Sequence, residues 1–249
     1  MPDPIDCPSP NCDVRPDGRA IDMLILHYTG MESAAAALAR LCDAEARVSA
    51  HYMIDEDGTT YAMVPEERRA WHAGISAWEG EAGVNGCSIG IELVNPGHEF
   101  GYRAFPEPQI AALTGLARAI VFRHRIPPWR VLGHSDVAPA RKQDPGELFP
   151  WARLAEAGIG LWVDYRAEGE PPPLGVAQAL LAEYGYDCPQ TGADDEATRL
   201  VVTAFQRHFR PERVDGTLDA ETAVRLAALL DRKRRMQARR PGSRCDYLP

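Results

Sequence analysis

The sequence predicts an α/β fold, a mixed central β-sheet flanked by helices, followed by a small C-terminal three-helix bundle. Three observations carry this prediction. Short apolar runs of strand length, such as Met23-Leu24-Ile25-Leu26 and residues 87–94, alternate with amphipathic helical segments. Three prolines, Pro171-Pro172-Pro173, form a stiff spacer. Beyond it, residues 174–230 keep helical periodicity, broken by polar turns around 191–195 and 215–216.

Residues 1–20 are rich in Pro and Asp and read as an irregular arm. His27 stands at the end of the first apolar run. Residues 33–43 are Ala/Leu-rich and read as a helix with Ser33 as N-cap. Two strand-like runs, 51–55 and 59–64, flank Glu56-Asp57-Gly58, a hairpin signal. Residues 71–86 hold Trp71, His72, Trp78 and four glycines and read as a long loop. Residues 87–94 are the best central strand, apolar on both faces apart from Ser88 and Glu92. Ile110, Leu113, Leu116, Ala117, Ile120 and Val121 mark an amphipathic helix over 108–125. Val131-Leu132 is a short strand leading to His134. The expected division is an arm (1–20), the main α/β domain (21–165), a Pro-rich linker (166–173), a helical domain (174–231) and a basic tail (232–249).

The chain has 249 residues and a formal net charge of −9. Its body is acidic, which argues against nucleic acid as the main partner. The basic stretch at 232–240 could touch an anionic surface but reads rather as a frayed, solvated terminus. No stretch approaches the ~20 apolar residues of a membrane helix. The N-terminus has neither a basic n-region nor an apolar h-region, so a cytoplasmic location is expected, or a periplasmic one if a leader is missing. Six cysteines form no C-x-x-C pair. Cys7 and Cys12 are near enough to pair or chelate but read as reduced bystanders, and Cys87 as a small strand thiol rather than a nucleophile.

The chemistry concentrates in residues 133–146, where His134, Asp136, Lys142 and Asp144 share a loop-like stretch with two prolines and two glycines. Catalytic zinc takes about three protein ligands and keeps one position open. The candidates are His27, His134 and Asp144. Asp136 competes with Asp144, and could instead orient His134 or cap a turn. His51 shares a face with Met53 and Asp55 and reads as structural, and His72 as a cleft residue. Glu92 lies in an apolar strand, where an unpaired carboxylate tends to a raised pKa suited to proton transfer. The alternative is a carboxylate paired with Arg68 or Arg69. Lys142 would place a positive charge where an oxyanion develops.

These residues resemble the zinc N-acetylmuramoyl-L-alanine amidases of the type 2 (AmpD-like) group, relatives of phage amidase lysozymes and peptidoglycan recognition proteins. The matching stretches are 24–29 (LILHYT), 48–54 (VSAHYMI), 71–76 (WHAGIS), 88–93 (SIGIEL) and 133–146 (GHSDVAPARKQDPG). The resemblance implies zinc on His27, His134 and Asp144, Glu92 as acid/base and Lys142 as transition-state stabiliser. Trp71, His72 and Asn95 are expected to contact substrate. Phage-type members carry a tyrosine where this chain has Ala50, so Glu92 is expected to carry the proton work. Residues 174–230 resemble the peptidoglycan-binding type 1 domain through Tyr184-Gly185-Tyr186, Asp195, Thr198, Ala204-Phe205-Gln206, Asp215-Gly216-Thr217, Asp219 and Thr222.

The expected activity is hydrolysis of the amide between N-acetylmuramic acid and L-alanine, in peptidoglycan fragments or murein, by a monomer. Two rivals remain: a zinc peptidase cutting stem-peptide bonds, and a recognition protein that holds peptidoglycan without cutting it. The second usually lacks one ligand, whereas all three candidates are present here.

Overall fold

A computed structural model describes residues 3–239. The elements run β1 (Ile5–Asp6), β2 (Cys12–Val14), β3 (Met23–Tyr28), α1 (Ala34–Cys42), β4 (Tyr52–Ile54), β5 (Thr60–Ala62), β6 (Arg68–Ala70), β7 (Ala77–Trp78), β8 (Glu81–Ala82) and β9 (Ser88–Leu93). They continue through α2 (Gly97–Phe100), α3 (Glu107–His124), β10 (Val131–Gly133), α4 (His134–Val137), α5 (Trp151–Glu156), α6 (Leu174–Tyr184), α7 (Glu196–Phe209) and α8 (Ala220–Ala238). The main sheet is mixed and ordered β1-β5-β4-β9-β3-β10. Strands β4, β9, β3 and β10 are parallel, and β5 runs antiparallel to β4.

Strand alternation divides the sheet between two cores. Leu24 and Leu26 of β3 and Ile89, Ile91 and Leu93 of β9 face α3 and α5, packing with Ile110, Leu113, Ile120 and Leu154. Met23 and Ile25 face the other way and join a core with Trp78, Leu132, Val137, Leu181, Phe205 and Leu226. That second core runs without a break into the three C-terminal helices. A smaller core under α1 gathers Ala37, Leu41, Met53 and Val94.

Three stretches differ from the sequence expectation. The arm is not irregular: β1 pairs with β5 and β2 with β6, so backbone pairing organises a segment of low strand propensity. Residues 71–86 contain the β7–β8 hairpin, turned by Gly80 at φ +78°. The start of the basic tail continues α8, because Lys233 follows Leu226, Leu229 and Leu230 on one helical face. Its ammonium reaches the carbonyl of Tyr184 at 2.7 Å and the carboxylate of Glu79 at 2.5 Å. Residues 240–249 lie outside the described residues.

The C-terminal helices repeat one device. Gln178 accepts the Gly192 N–H at 2.7 Å and donates to Thr198 Oγ1 at 2.8 Å. Gln206 accepts the Gly216 N–H at 2.8 Å and donates to the carbonyl of Thr217 at 2.9 Å. Each turn ends in an Asp N-cap: Asp195 accepts from Thr198 N–H and Asp219 from Thr222 N–H. The Asp and Thr of the C-terminal motifs therefore start helices.

Candidate metal centre

Strand ends place the first two groups. His27 is the fifth residue of β3. β10 pairs alongside β3 with Gly133 opposite Leu26, so the chain delivers His134 beside His27. The loop after α4 then folds back, and the Ser135 N–H donates to the carbonyl of Asp144 at 2.9 Å. Gly133 allows this close return, since a Cβ there would lie 2.7 Å from Pro145 Cδ. The result is a triangle. His27 Nδ1, His134 Nδ1 and Asp144 Oδ2 are each 3.0 Å from the other two. All three residues are buried.

The hydrogen bonds behind the rings assign their protons. His134 Nε2 faces the carbonyl of Ala73 at 3.0 Å, so this nitrogen donates and, in the neutral ring, Nδ1 is bare. For His27 the assignment runs through three residues. Ser88 spends its one hydroxyl proton on the carbonyl of Val84 at 2.7 Å. Its oxygen must therefore accept from His72 Nε2–H at 3.1 Å. His72 Nδ1 then accepts from His27 Nε2–H at 3.0 Å, which leaves His27 Nδ1 bare. Burial, together with the neighbouring His134, pushes His27 down to about 4 and keeps it neutral at pH 7. Asp144, buried between the two rings, turns its Oδ2 toward both bare nitrogens. Two lone pairs and an anion thus converge on one point. Tetrahedral zinc, with bonds of about 2.0–2.1 Å, wants its ligands within a few tenths of an ångström of this spacing.

Glu92 lies in register with His27 across β3 and β9. It is 8% exposed, and its Oε2 is buried without a hydrogen-bond partner among the described residues. Burial and then the charge of Asp144 push it well above the usual carboxylate range, against a downward pull from Lys142. Among the described residues no ion pair between Glu92 and Arg68 or Arg69 is found, and Arg69 bonds Asp13 instead. Glu92, His134, Lys142 and Asp144 line a cavity of about 510 Å³, which Tyr28, Arg40 and Glu99 also border.

The remaining expected residues fall elsewhere. His72 touches the cavity, but both its ring nitrogens are engaged inside the protein, so it orients His27 rather than offering a polar atom to substrate. Trp71 is half-buried, its backbone N–H donates to Ser49 Oγ at 2.9 Å, and it stands outside the cavity lining. Asn95 is fully buried. Its amide donates to the carbonyl of Arg103 at 2.7 Å and its oxygen accepts the Gly97 N–H at 3.0 Å, so it builds a turn. Asp136 accepts from Gly133 N–H, Tyr186 O–H and His208 Nδ1–H at 2.6–2.7 Å, away from the triangle. His51 accepts the Gly90 N–H at 2.9 Å and is structural.

The N-acetylmuramoyl-L-alanine amidase family matches residues 17–147. The chain belongs to that family. A peptidoglycan-binding domain matches residues 171–226. The amidase AmiD of Escherichia coli is 42% identical over 233 residues, 85% of this chain and 83% of that protein. The 1,6-anhydro-N-acetylmuramyl-L-alanine amidase AmpD of Citrobacter freundii is 34% identical over 164 residues, 59% of this chain and 86% of its own. Among solved structures, AmiD from E. coli in complex with the substrate anhydro-N-acetylmuramic acid-L-Ala-D-gamma-Glu-L-Lys superposes with a TM-score of 0.77 at 39% identity, covering 88% of this chain and 92% of that one. AmpDh3 from Pseudomonas aeruginosa in complex with anhydromuramic pentapeptide superposes with a TM-score of 0.78 at 38% identity, covering 88% and 94%. The mixed sheet with flanking helices is the amidase fold. No described helix of this amidase is long and apolar enough to cross a membrane.

Proposed function

We propose that this amidase is a zinc hydrolase of the amide between N-acetylmuramic acid and L-alanine, with His27, His134 and Asp144 as the metal ligands. The observation that carries the reading is the 3.0 Å triangle of bare nitrogens and carboxylate oxygen. When bound there, zinc supplies Lewis-acid polarisation of the substrate carbonyl and a lowered pKa for the attacking water. Glu92 takes the water proton and hands it to the departing amine of L-alanine. Its raised affinity for protons lets it hold that proton between the two events. The Lys142 ammonium faces the oxyanion from the cavity wall.

The substrate we assign is a muropeptide, with intact murein as the alternative form. Arg40 and Lys142 on the cavity wall suit the carboxylates of a stem peptide. Residues 174–231 are read as a wall-binding domain, after the match at 171–226. Metal analysis and digestion of both substrate forms test the proposal. Free peptide beginning with alanine, released only by zinc-loaded protein, is the expected product. A shortened stem left on sugar would mean a peptidase, and no product would mean a recognition protein.

A further inference from the structure

Cys7 and Cys42 come from distant parts of the chain and meet. Cys7 extends β1, its N–H donating to the carbonyl of Ala62 at 2.9 Å. Cys42 is the last residue of α1. Their sulfurs are 3.7 Å apart, and the Cys42 sulfur also lies 3.8 Å from the carbonyl oxygen of Cys7. Both are free thiols and only half-buried, so solvent-borne reagents reach them. Among the described residues no other two cysteine sulfurs approach each other in this way. Cys12 is the nearer cysteine in sequence, but it is carried away by β2, where it pairs with Ala70 of β6. The helix that carries Cys42 also forms part of the cavity wall, through Ala37, Arg40 and Leu41.

We infer that Cys7 and Cys42 form a disulfide site whose oxidant is an external disulfide, and that the cross-link pins the cavity wall α1 to the N-terminal arm. One thiolate of the pair attacks one sulfur of the oxidant, forming a mixed disulfide and expelling the first thiolate. The other thiolate of the pair then attacks the protein sulfur of that mixed disulfide, closing the Cys7–Cys42 bond and expelling the second. The pair loses two electrons and two protons, and the oxidant leaves as two thiols. At 3.7 Å the two sulfurs are already in van der Waals contact.

The test uses the full chain carrying Cys245→Ser, which removes the thiol outside the described residues. Oxidised glutathione serves as the disulfide. The expected result is an intact mass lower by about 2 Da, a single cross-linked peptide joining Cys7 to Cys42, and a melting temperature several degrees higher that returns to baseline with dithiothreitol. Cys7→Ser and Cys42→Ser should each abolish the loss of about 2 Da and the cross-linked peptide, leaving at most a glutathione adduct, while Cys12→Ser should leave both intact. The inference is overturned if Cys7 and Cys42 both stay open to alkylation, if the reaction stops at a glutathione adduct, or if the cross-link joins Cys7 to Cys12.

Discussion

His27 and Glu92 stand opposite one another in register on the parallel strands β3 and β9. Register partners on adjacent strands point to the same face, so one sheet geometry fixes both the proposed metal-binding nitrogen and the proposed proton-transfer carboxylate. On that face β9 presents Ser88, Gly90 and Glu92, and β3 presents Met23, Ile25 and His27. The opposite face is apolar throughout. The site is a polar patch on one side of a strand pair whose other side is core.

Replacing Glu92 by Gln keeps the shape and removes the proton acceptor. Zinc content should match wild type, because Glu92 Oε2 makes no hydrogen bond to any ligand residue. Turnover should fall by roughly 10²–10⁴-fold. Steady-state assay beside metal analysis checks both, and undiminished turnover would remove Glu92 from the mechanism.

The proton chain Ser88–His72–His27 predicts that zinc affinity depends on residues that never touch the metal. Ser88→Ala removes the acceptor that fixes the His72 tautomer, and affinity should fall by about 10–100-fold. Gly90→Ala acts sterically, since its Cβ would lie 2.4 Å from His72 Cγ. Competition against a chromophoric chelator measures both variants. Wild-type affinity in Ser88→Ala would mean the chain does not orient His27.

Much of this was legible in the sequence because the signals are local. Strand runs, the Asp-Gly hairpin, the Ser33 cap and the helix over 108–125 each rest on a few neighbouring residues. The triangle's members were legible because histidines at strand ends and a lysine–aspartate loop are chemically unusual. The alternation within 88–93 offered more than was drawn from it: Ser88, Gly90 and Glu92 share one face, and a strand glycine signals close packing. Trp71 and Asn95 were less tractable. Their motif positions adjoin the site in sequence, but strand and turn geometry point them away from it. The arm's strands were hidden because their partners lie more than fifty residues on.

Acidification should destabilise the fold in two overlapping stages. Burial, and then Arg15, push His51 down to about 3 from its ordinary 6.5. Its folded pKa lies below the unfolded one, so its contribution is full above about pH 6.5 and is lost as pH falls toward 3. Burial raises Glu66, but hydrogen bonds from Arg123, His124 and Tyr52 outweigh this and hold it at about 2 against 4.5. Its contribution, at most ~3 kcal/mol, is present above 4.5 and disappears as pH falls to 2. Urea midpoints in the presence of a chelator should decline as pH falls, and the gap between wild type and Glu66→Gln should narrow below about pH 4.5 and close toward pH 2. A gap independent of pH would contradict the Glu66 assignment.

The last prediction concerns Asp136, two residues beyond His134 in α4. Its carboxylate is fully buried and accepts from Tyr186 and His208 of the C-terminal helices. His208 also stacks on Trp151, with ring centroids 3.7 Å apart. Nearby, Arg207 donates to Gln143, the neighbour of Asp144, at 3.2 Å. The C-terminal helices therefore grip the segment that carries two of the three triangle residues. Asp136→Ala leaves three buried donors unanswered and should destabilise by about 3–5 kcal/mol, whereas Tyr186→Phe removes one donor and should cost about 1 kcal/mol. At roughly 2–4 °C per kcal/mol, calorimetry resolves the two. Deleting residues 174–239 would also uncover Trp78, Leu132 and Val137, which share a core with Phe205 and Leu226. The truncated amidase should then be insoluble or unable to hold zinc. A soluble truncated chain with wild-type zinc affinity would show that the helices are a detachable module and that the grip on α4 does nothing for the metal site.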